Sequence, residues 1–261
     1  MKRSFHQVFS LKAFLLPVLL FMAATYGLYL VAADETICVV GDEDQLFEFL
    51  TALFFLAASW FFLRSFLIGK NGWFLLLSII FFVGFGEEIS WGQRILNFDT
   101  PQSLAEVNVQ HEFSFHNIEL FNAHDFDHNL KSGAAKLLTV NFLYKLFWLG
   151  YCVLLPIACF GLRPIGRLVE WMRLPIVALP IGLLFIVNWG AFKAMSVLLL
   201  PWGKSEQYYD TIGEMRECVS ALIFMAVAVY FLSRRGVRRT EEEDSRVTSS
   251  SGMSENLLAP N

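Results

Sequence analysis

The chain has 261 residues, 56% of them hydrophobic and 17% charged, with 27 Phe and a mean hydropathy of +0.51. So apolar a composition belongs to a polytopic membrane protein and excludes a soluble globular domain. The net charge of −4 has nothing to offer a polyanion, so no nucleic-acid partner is expected.

Six segments are long and apolar enough, at about 20 residues each, to cross a bilayer as helices. They lie at 13–33, 46–67, 72–94, 137–160, 174–200 and 214–233. The expected fold is all-α, a six-helix transmembrane bundle over 1–235. The first segment ends at Val31, Ala32 and Ala33, which resemble a signal-peptide cleavage site, but its apolar run is longer than a signal core of 7–15 residues. It is expected to stay as a helix. The third runs apolar from Trp73 and then takes in Glu87, Glu88 and Arg94. Between the third and fourth, residues 97–136 form a long polar loop holding His111, His116, His124 and His128, four of the five histidines. Thr100 and Pro101 suit a helix entry there, as cap and first residue. Thr211 and Glu214 have the spacing of a capping box at the start of the sixth span. Residues 236–261 mix Arg, Glu, Ser and Thr and are expected to be a disordered tail.

Positive charge alternates along the chain. Lys2, Arg3 and Lys12 precede the first span, Arg64 and Lys70 flank the second connection, Arg163, Arg167 and Arg173 fill the fourth, and Arg234, Arg235, Arg238 and Arg239 follow the last. The intervening loops are acidic or nearly neutral. The positive-inside rule then predicts both termini in the cytoplasm. With that orientation, Glu87, Glu88, Arg94, Asn141, Lys145, Asn188, Lys193, Glu214, Arg216 and Glu217 all fall in the outer half of the membrane, beneath the 97–136 loop. Random tolerance would scatter them.

Ionised side chains at such depth cost roughly 2.5–3.5 kcal/mol each on insertion scales, so they persist with a partner or a task. Glu87 and Arg94 are two helical turns apart and would share a face, whereas Glu88 is rotated by about 100°. One reading is an ion-pair network in which Arg94, Lys145 and Lys193 neutralise the glutamates. The other is chemical: two close carboxylates in low dielectric cannot both ionise cheaply, which suits acid/base work or metal ligation. In that reading Glu87, Glu88, Arg94 and His116 are catalytic. Trp91, Gln93, Asn117, Lys193 and Glu217 contact substrate. His124 and His128, at i, i+4 spacing, would bind a divalent metal together with His116 if their segment is helical. The four cysteines (Cys38, Cys152, Cys159 and Cys218) have neither CxxC nor zinc-finger spacing and read as small buried side chains.

The run GEEISWGQR at 86–94, with NVQ at 108–110 and HN at 116–117, resembles a group of uncharacterised bacterial polytopic membrane proteins. The resemblance covers the middle of the chain and implies a bacterial inner membrane, with no mechanism attached. The paired glutamates are also similar to those of intramembrane CAAX-type proteases. That family places arginine five residues after the first glutamate, and position 92 here is Gly, so its chemistry does not transfer. The expected function is therefore an enzyme acting on a lipid or lipid-linked substrate at the outer leaflet, with Arg94 gripping a phosphate or carboxylate. The alternative is a membrane-complex subunit or ion-coupled transporter in which the same charges form a structural or proton-relay network. Membrane lipid, and possible further membrane subunits, are the expected partners.

Overall fold

The computed structural model describes residues 5–41, 45–127, 129–199 and 206–256, without the side chains of residues 5–10, 94, 199, 206 and 235–256. The described residues are helical, and extended pairing among them is limited to two isolated bridges. In chain order the helices are α1 (Phe5–Val31), α2 (Asp34–Val40), α3 (Leu46–Gly69), α4 (Gly72–Glu88), α5 (Gln93–Leu96), α6 (Gln102–Ala105), α7 (Val140–Leu146), α8 (Leu155–Gly161), α9 (Arg163–Trp171), α10 (Leu179–Leu199) and α11 (Glu206–Asn256). A π-helical stretch, Phe147–Leu154, joins α7 to α8 into one rod.

Five stretches are long and apolar enough to cross a membrane: Leu11–Val31, Leu46–Gly69, Val140–Gly161, Leu179–Leu198 and Gln207–Arg234. The expected third span is shorter than 72–94. In its place is the 17-residue α4, not one of these five, which is about 25 Å long and stops at Glu88. The hairpin joining α3 to α4 is tight because Lys70 adopts a left-handed conformation (φ 49°) and the Asn71 side chain accepts the Trp73 N–H at 3.1 Å, capping α4.

The core is built around α11, two-thirds of whose apolar window is buried (67%, against 22–39% in the other four). Every residue from Cys218 to Phe224 is buried, about two turns without an exposed face, as a helix surrounded on all sides requires. Much of the surrounding space is filled by Phe rings: Phe224 packs on Phe81, Phe147 and Phe185, and Phe231 on Phe62 and Phe74. Helix α1 belongs to this core through Val18, Met22, Tyr26 and Tyr29.

Cross-helix contacts fix which helix ends lie together. Tyr29 Oη donates to the Tyr208 carbonyl at 2.6 Å, and Tyr26 Oη donates to Asn188 Oδ1 at 2.7 Å. Asn188 in turn donates to the Arg216 carbonyl (2.8 Å) and Ser220 Oγ (3.0 Å), so one buried amide joins α1, α10 and α11. At the opposite end, Phe14 meets Tyr230, while Asn71 Nδ2 and Trp73 Nε1 donate to the carbonyls of Arg173 and Met172. The end of α4 and the starts of α7 and α11 therefore share one end of the bundle with the 97–136 loop.

Two terminal expectations change. Helix α11 begins at Glu206, so Thr211 is already inside it; its hydroxyl bonds back to the Gln207 carbonyl at 3.0 Å rather than capping. The same helix continues to Asn256, where composition predicted a disordered tail from Gly236; residues 257–261 lie outside the described chain.

Close packing against the π-helical stretch depends on Gly182, where an added Cβ would sit 1.9 Å from the Cys152 carbonyl oxygen. A backbone atom cannot yield as a flexible side chain can. Gly182→Ala should therefore lower stability by about 3 kcal/mol or more. Gly190→Ala on the same helix, with nothing within 4 Å of the new Cβ, should be neutral or slightly stabilising. Thermal unfolding of the two variants in detergent checks the contrast.

Candidate functional site

Helix α4 ends in an abrupt change of direction. Ser90, Trp91 and Gly92 all take left-handed conformations (φ 44°, 52° and 82°), which non-glycine residues adopt only where surrounding contacts hold them. The reversal folds the Trp91 indole back over Gly86, where a Cβ would lie 2.8 Å from the ring. Trp91 Nε1 then donates to Glu87 Oε1 at 2.5 Å. Glu87 Oε2 accepts the backbone N–H groups of Phe115 and His116, both at 2.8 Å, and His116 Nδ1 at 2.9 Å. One carboxylate thus receives four donors. Facing a carboxylate, Nδ1 is the donating ring nitrogen, and Nε2 lies on the other side of the half-exposed imidazole.

This geometry overturns the two-turn register expected for Glu87 and Arg94, because the helix does not continue between them. The Arg94 side chain lies outside the described residues, and Glu87 is satisfied without it. Other residues expected to touch substrate also serve the loop. Gln93 Oε1 accepts the Phe113 N–H (2.6 Å) and its Nε2 donates to Thr100 Oγ (2.8 Å); α6 starts one residue later than expected, with Pro101 at the cap position and no side-chain cap. Asn117 is buried, donates to Gln110 Oε1 and accepts from Asn122. Asn108, fully buried, donates to the carbonyls of Glu112 and Ser114, each at 2.8 Å, and accepts the Gln110 N–H. Loop residues 107–119 are held as a small closed unit docked on the end of α4.

The histidine pair does not form the expected helical site. His124 is exposed and bridges to Leu130 across a turn, and His128 lies outside the described residues. Asp125 organises the turn: the Asn129 backbone N–H, at 2.8 Å, leads the hydrogen bonds that hold its carboxyl below the ordinary range. Among the described residues no three His, Cys, Asp or Glu side chains are placed to hold a metal ion.

Glu88 points away from the loop, into the bundle, where its charged neighbours are Glu217, Glu214, Glu48 and Glu87. Glu217 pairs with Arg216, and the Arg216 guanidinium lies 4.7 Å from the Phe192 ring. Lys145 and Lys193, expected as counter-ions to the glutamates, form no ion pair with a described residue; Lys193 sits 5.3 Å from the same ring. Beside this group a cleft opens, with Asn141, Lys145 and Trp189 at its exposed mouth and Trp148, Phe185, Asn188 and Ser220 at its buried floor. Arg216 and Tyr144 complete the lining. The Tyr144 hydroxyl is buried beside Ser220, its nearest polar partner, without a well-formed hydrogen bond among the described residues. Sequence reasoning passed over Tyr144, Ser220 and Tyr26, since hydroxyls in apolar helices carry no spacing signal.

No known family, curated protein or solved structure matches the chain.

The two adjacent glutamates should respond oppositely to neutralisation. Glu87→Ala strands four donors, and hydrogen bonds to a charged group contribute about 1.5–3 kcal/mol each. It should lower the unfolding temperature and make the 107–119 segment cleavable by protease. Glu88→Gln removes one of several mutually repelling carboxylates and should leave stability unchanged or raise it. Equal losses for both variants would contradict the assignment.

Proposed function

We propose that this chain is a bacterial inner-membrane protein of six spans, the five membrane-length helices together with α4 as the third crossing in chain order. Both termini are cytoplasmic, and the polar cleft is a site for an anionic lipid or lipid-linked substrate in the outer leaflet. The observation that carries the reading is the cleft itself: Lys145 and Arg216 line one opening together with a buried Tyr144 hydroxyl, next to Glu88. Lys145, a cation with no carboxylate partner among the described residues, suits a phosphate or carboxylate headgroup at a lipid-facing mouth, and Arg216, paired with Glu217, lies beside it. In this proposal Lys145 and Arg216 hold the anion, Tyr144 donates a hydrogen bond to it, and Glu88 exchanges a proton with the reacting group. His116, aligned by Glu87, is the second acid/base group. The docked loop would cover the site from the aqueous side. Support for the orientation comes from the charge pattern, and for the bacterial membrane from the 86–117 resemblance.

A second reading has its own support. Glu88, surrounded by carboxylates on three helices, is the environment of a proton-binding group in an ion-coupled transporter or relay.

Purified protein incubated with inner-membrane phospholipids or a polyprenyl phosphate, with products followed by mass spectrometry, tests the first reading. Turnover should fall about 10²–10⁴-fold in Glu88→Gln and about tenfold in Lys145→Gln. Glu88-dependent proton flux into proteoliposomes, without turnover, would favour the relay; neither signal would end both readings. The orientation is checked separately: a cysteine at Gln102 should react with an impermeant thiol reagent in spheroplasts, and one at Arg167 should not.

A further inference from the structure

At the end of the bundle away from the loop, a crevice of about 660 Å³ lies between the start of α4, the α9–α10 connection and α11. Its walls include Ile68, Phe74, Leu174 and Ile176, and its polar groups include Arg173 and Arg234, with Glu170 the carboxylate among them. A volume of this size is that of a ligand site rather than a packing defect. The positions of the two arginines are constructed. Arg173 is left-handed (φ 54°), and its backbone is pinned when Asn71 and Trp73 donate to the carbonyls of residues 173 and 172 at 2.8 Å. Arg234 is braced by one hydrogen bond to the Tyr230 hydroxyl, at 2.8 Å, and by packing on that ring. Neither guanidinium pairs with a carboxylate among the described residues, so most of their donors remain available.

The level of the crevice follows from its neighbours. Helix α9 carries Arg163 and Arg167 beside the exposed apolar residues Leu168 (53%) and Trp171 (80%), and Phe160 just before it is 95% exposed. A short helix of that pattern rests in the plane of the headgroups with its apolar face in the acyl region. Arginines at headgroup depth over an apolar-walled slot meet both halves of a phospholipid.

We infer that this crevice binds one anionic phospholipid of the adjacent leaflet, its phosphate held by Arg173 and Arg234 and an acyl chain lying along Phe74, Leu174 and Ile176. The site is separate from the outer cleft and does not depend on the function proposed for it.

Native mass spectrometry of the detergent-purified protein, titrated with phosphatidylglycerol or phosphatidylcholine, tests the inference. The first phosphatidylglycerol should bind at least about tenfold tighter than phosphatidylcholine. Combining Arg173→Gln with Arg234→Gln should abolish that preference, while Lys136→Gln, an exposed lysine of the 97–136 loop in neither site, should retain it. Equal binding of the two lipids by the unsubstituted protein, or an undiminished preference in the double variant, would overturn the site. So would displacement of phosphatidylglycerol by inorganic phosphate at equal concentration, which would assign the arginines to a free anion. Should the double variant fail to fold, Ile176→Trp fills the apolar wall and leaves both arginines in place. It should remove the tight adduct, and an intact adduct would equally refute the proposal.

Discussion

A carboxylate at the end of an apolar helix is held by whatever donors reach it, and Glu87 collects four. Trp91 returns from beyond the end of α4 to supply one, and residues 115–116 of the 97–136 loop supply the other three. Hydrogen bonds to an ionised group contribute about 1.5–3 kcal/mol each, enough together to offset an insertion cost of roughly 2.5–3.5 kcal/mol for the charge. They also hold three successive left-handed residues, at Ser90, Trp91 and Gly92, that would otherwise relax. Remove the carboxylate, and the reversal after α4 and the docking of the loop lose four of their hydrogen bonds, leaving the Gln93–Phe113 tie and the Trp91–Phe115 ring contact. Gln93 is a second tie between helix end and loop, and Asn108 and Asn117 close the loop on itself.

The bundle beneath is asymmetric for a related reason. Polar and charged side chains gather at the loop end, where Asn188 joins three helices and Arg216 pairs with Glu217. The middle of α11 is apolar and packed by Phe rings. Glu87 and Glu88 are neighbours with contrasting surroundings: one is saturated with donors, the other turned toward further carboxylates and a buried tyrosine hydroxyl. A saturated carboxylate stabilises structure, and one without donors is the better candidate for exchanging protons.

Much of this was legible in the sequence, because hydropathy sets span positions and Glu87 and Glu88 are conspicuous inside one. The all-helical fold, five membrane-length helices and the concentration of polar groups near the long loop follow from those signals. What failed was helical phase. Counting turns from Glu87 to Arg94 assumes an unbroken helix, and Ser90 and Trp91 give no glycine-like warning of the left-handed break. The capping box at Thr211 failed because α11 starts earlier, at Glu206, and the hydroxyl found a carbonyl within its own helix. The His124 segment is a turn because Asp125 gathers the N–H groups of Asp127 and Asn129, a local competition that i, i+4 spacing cannot register. Trp91, Gln93 and Asn117, expected from sequence to contact substrate, each hydrogen-bond within the helix end and the loop.

Amide hydrogen exchange of the purified protein addresses the Glu87 tie most directly. The N–H groups of Phe115 and His116 lie in a loop and would exchange quickly if solvent reached them. Accepted by Glu87, they should be protected about a hundredfold relative to exposed amides of the same loop, an opening free energy of about 2.8 kcal/mol. Exchange of both amides at the rate of their exposed neighbours would contradict the claim that this carboxylate holds the loop on the bundle.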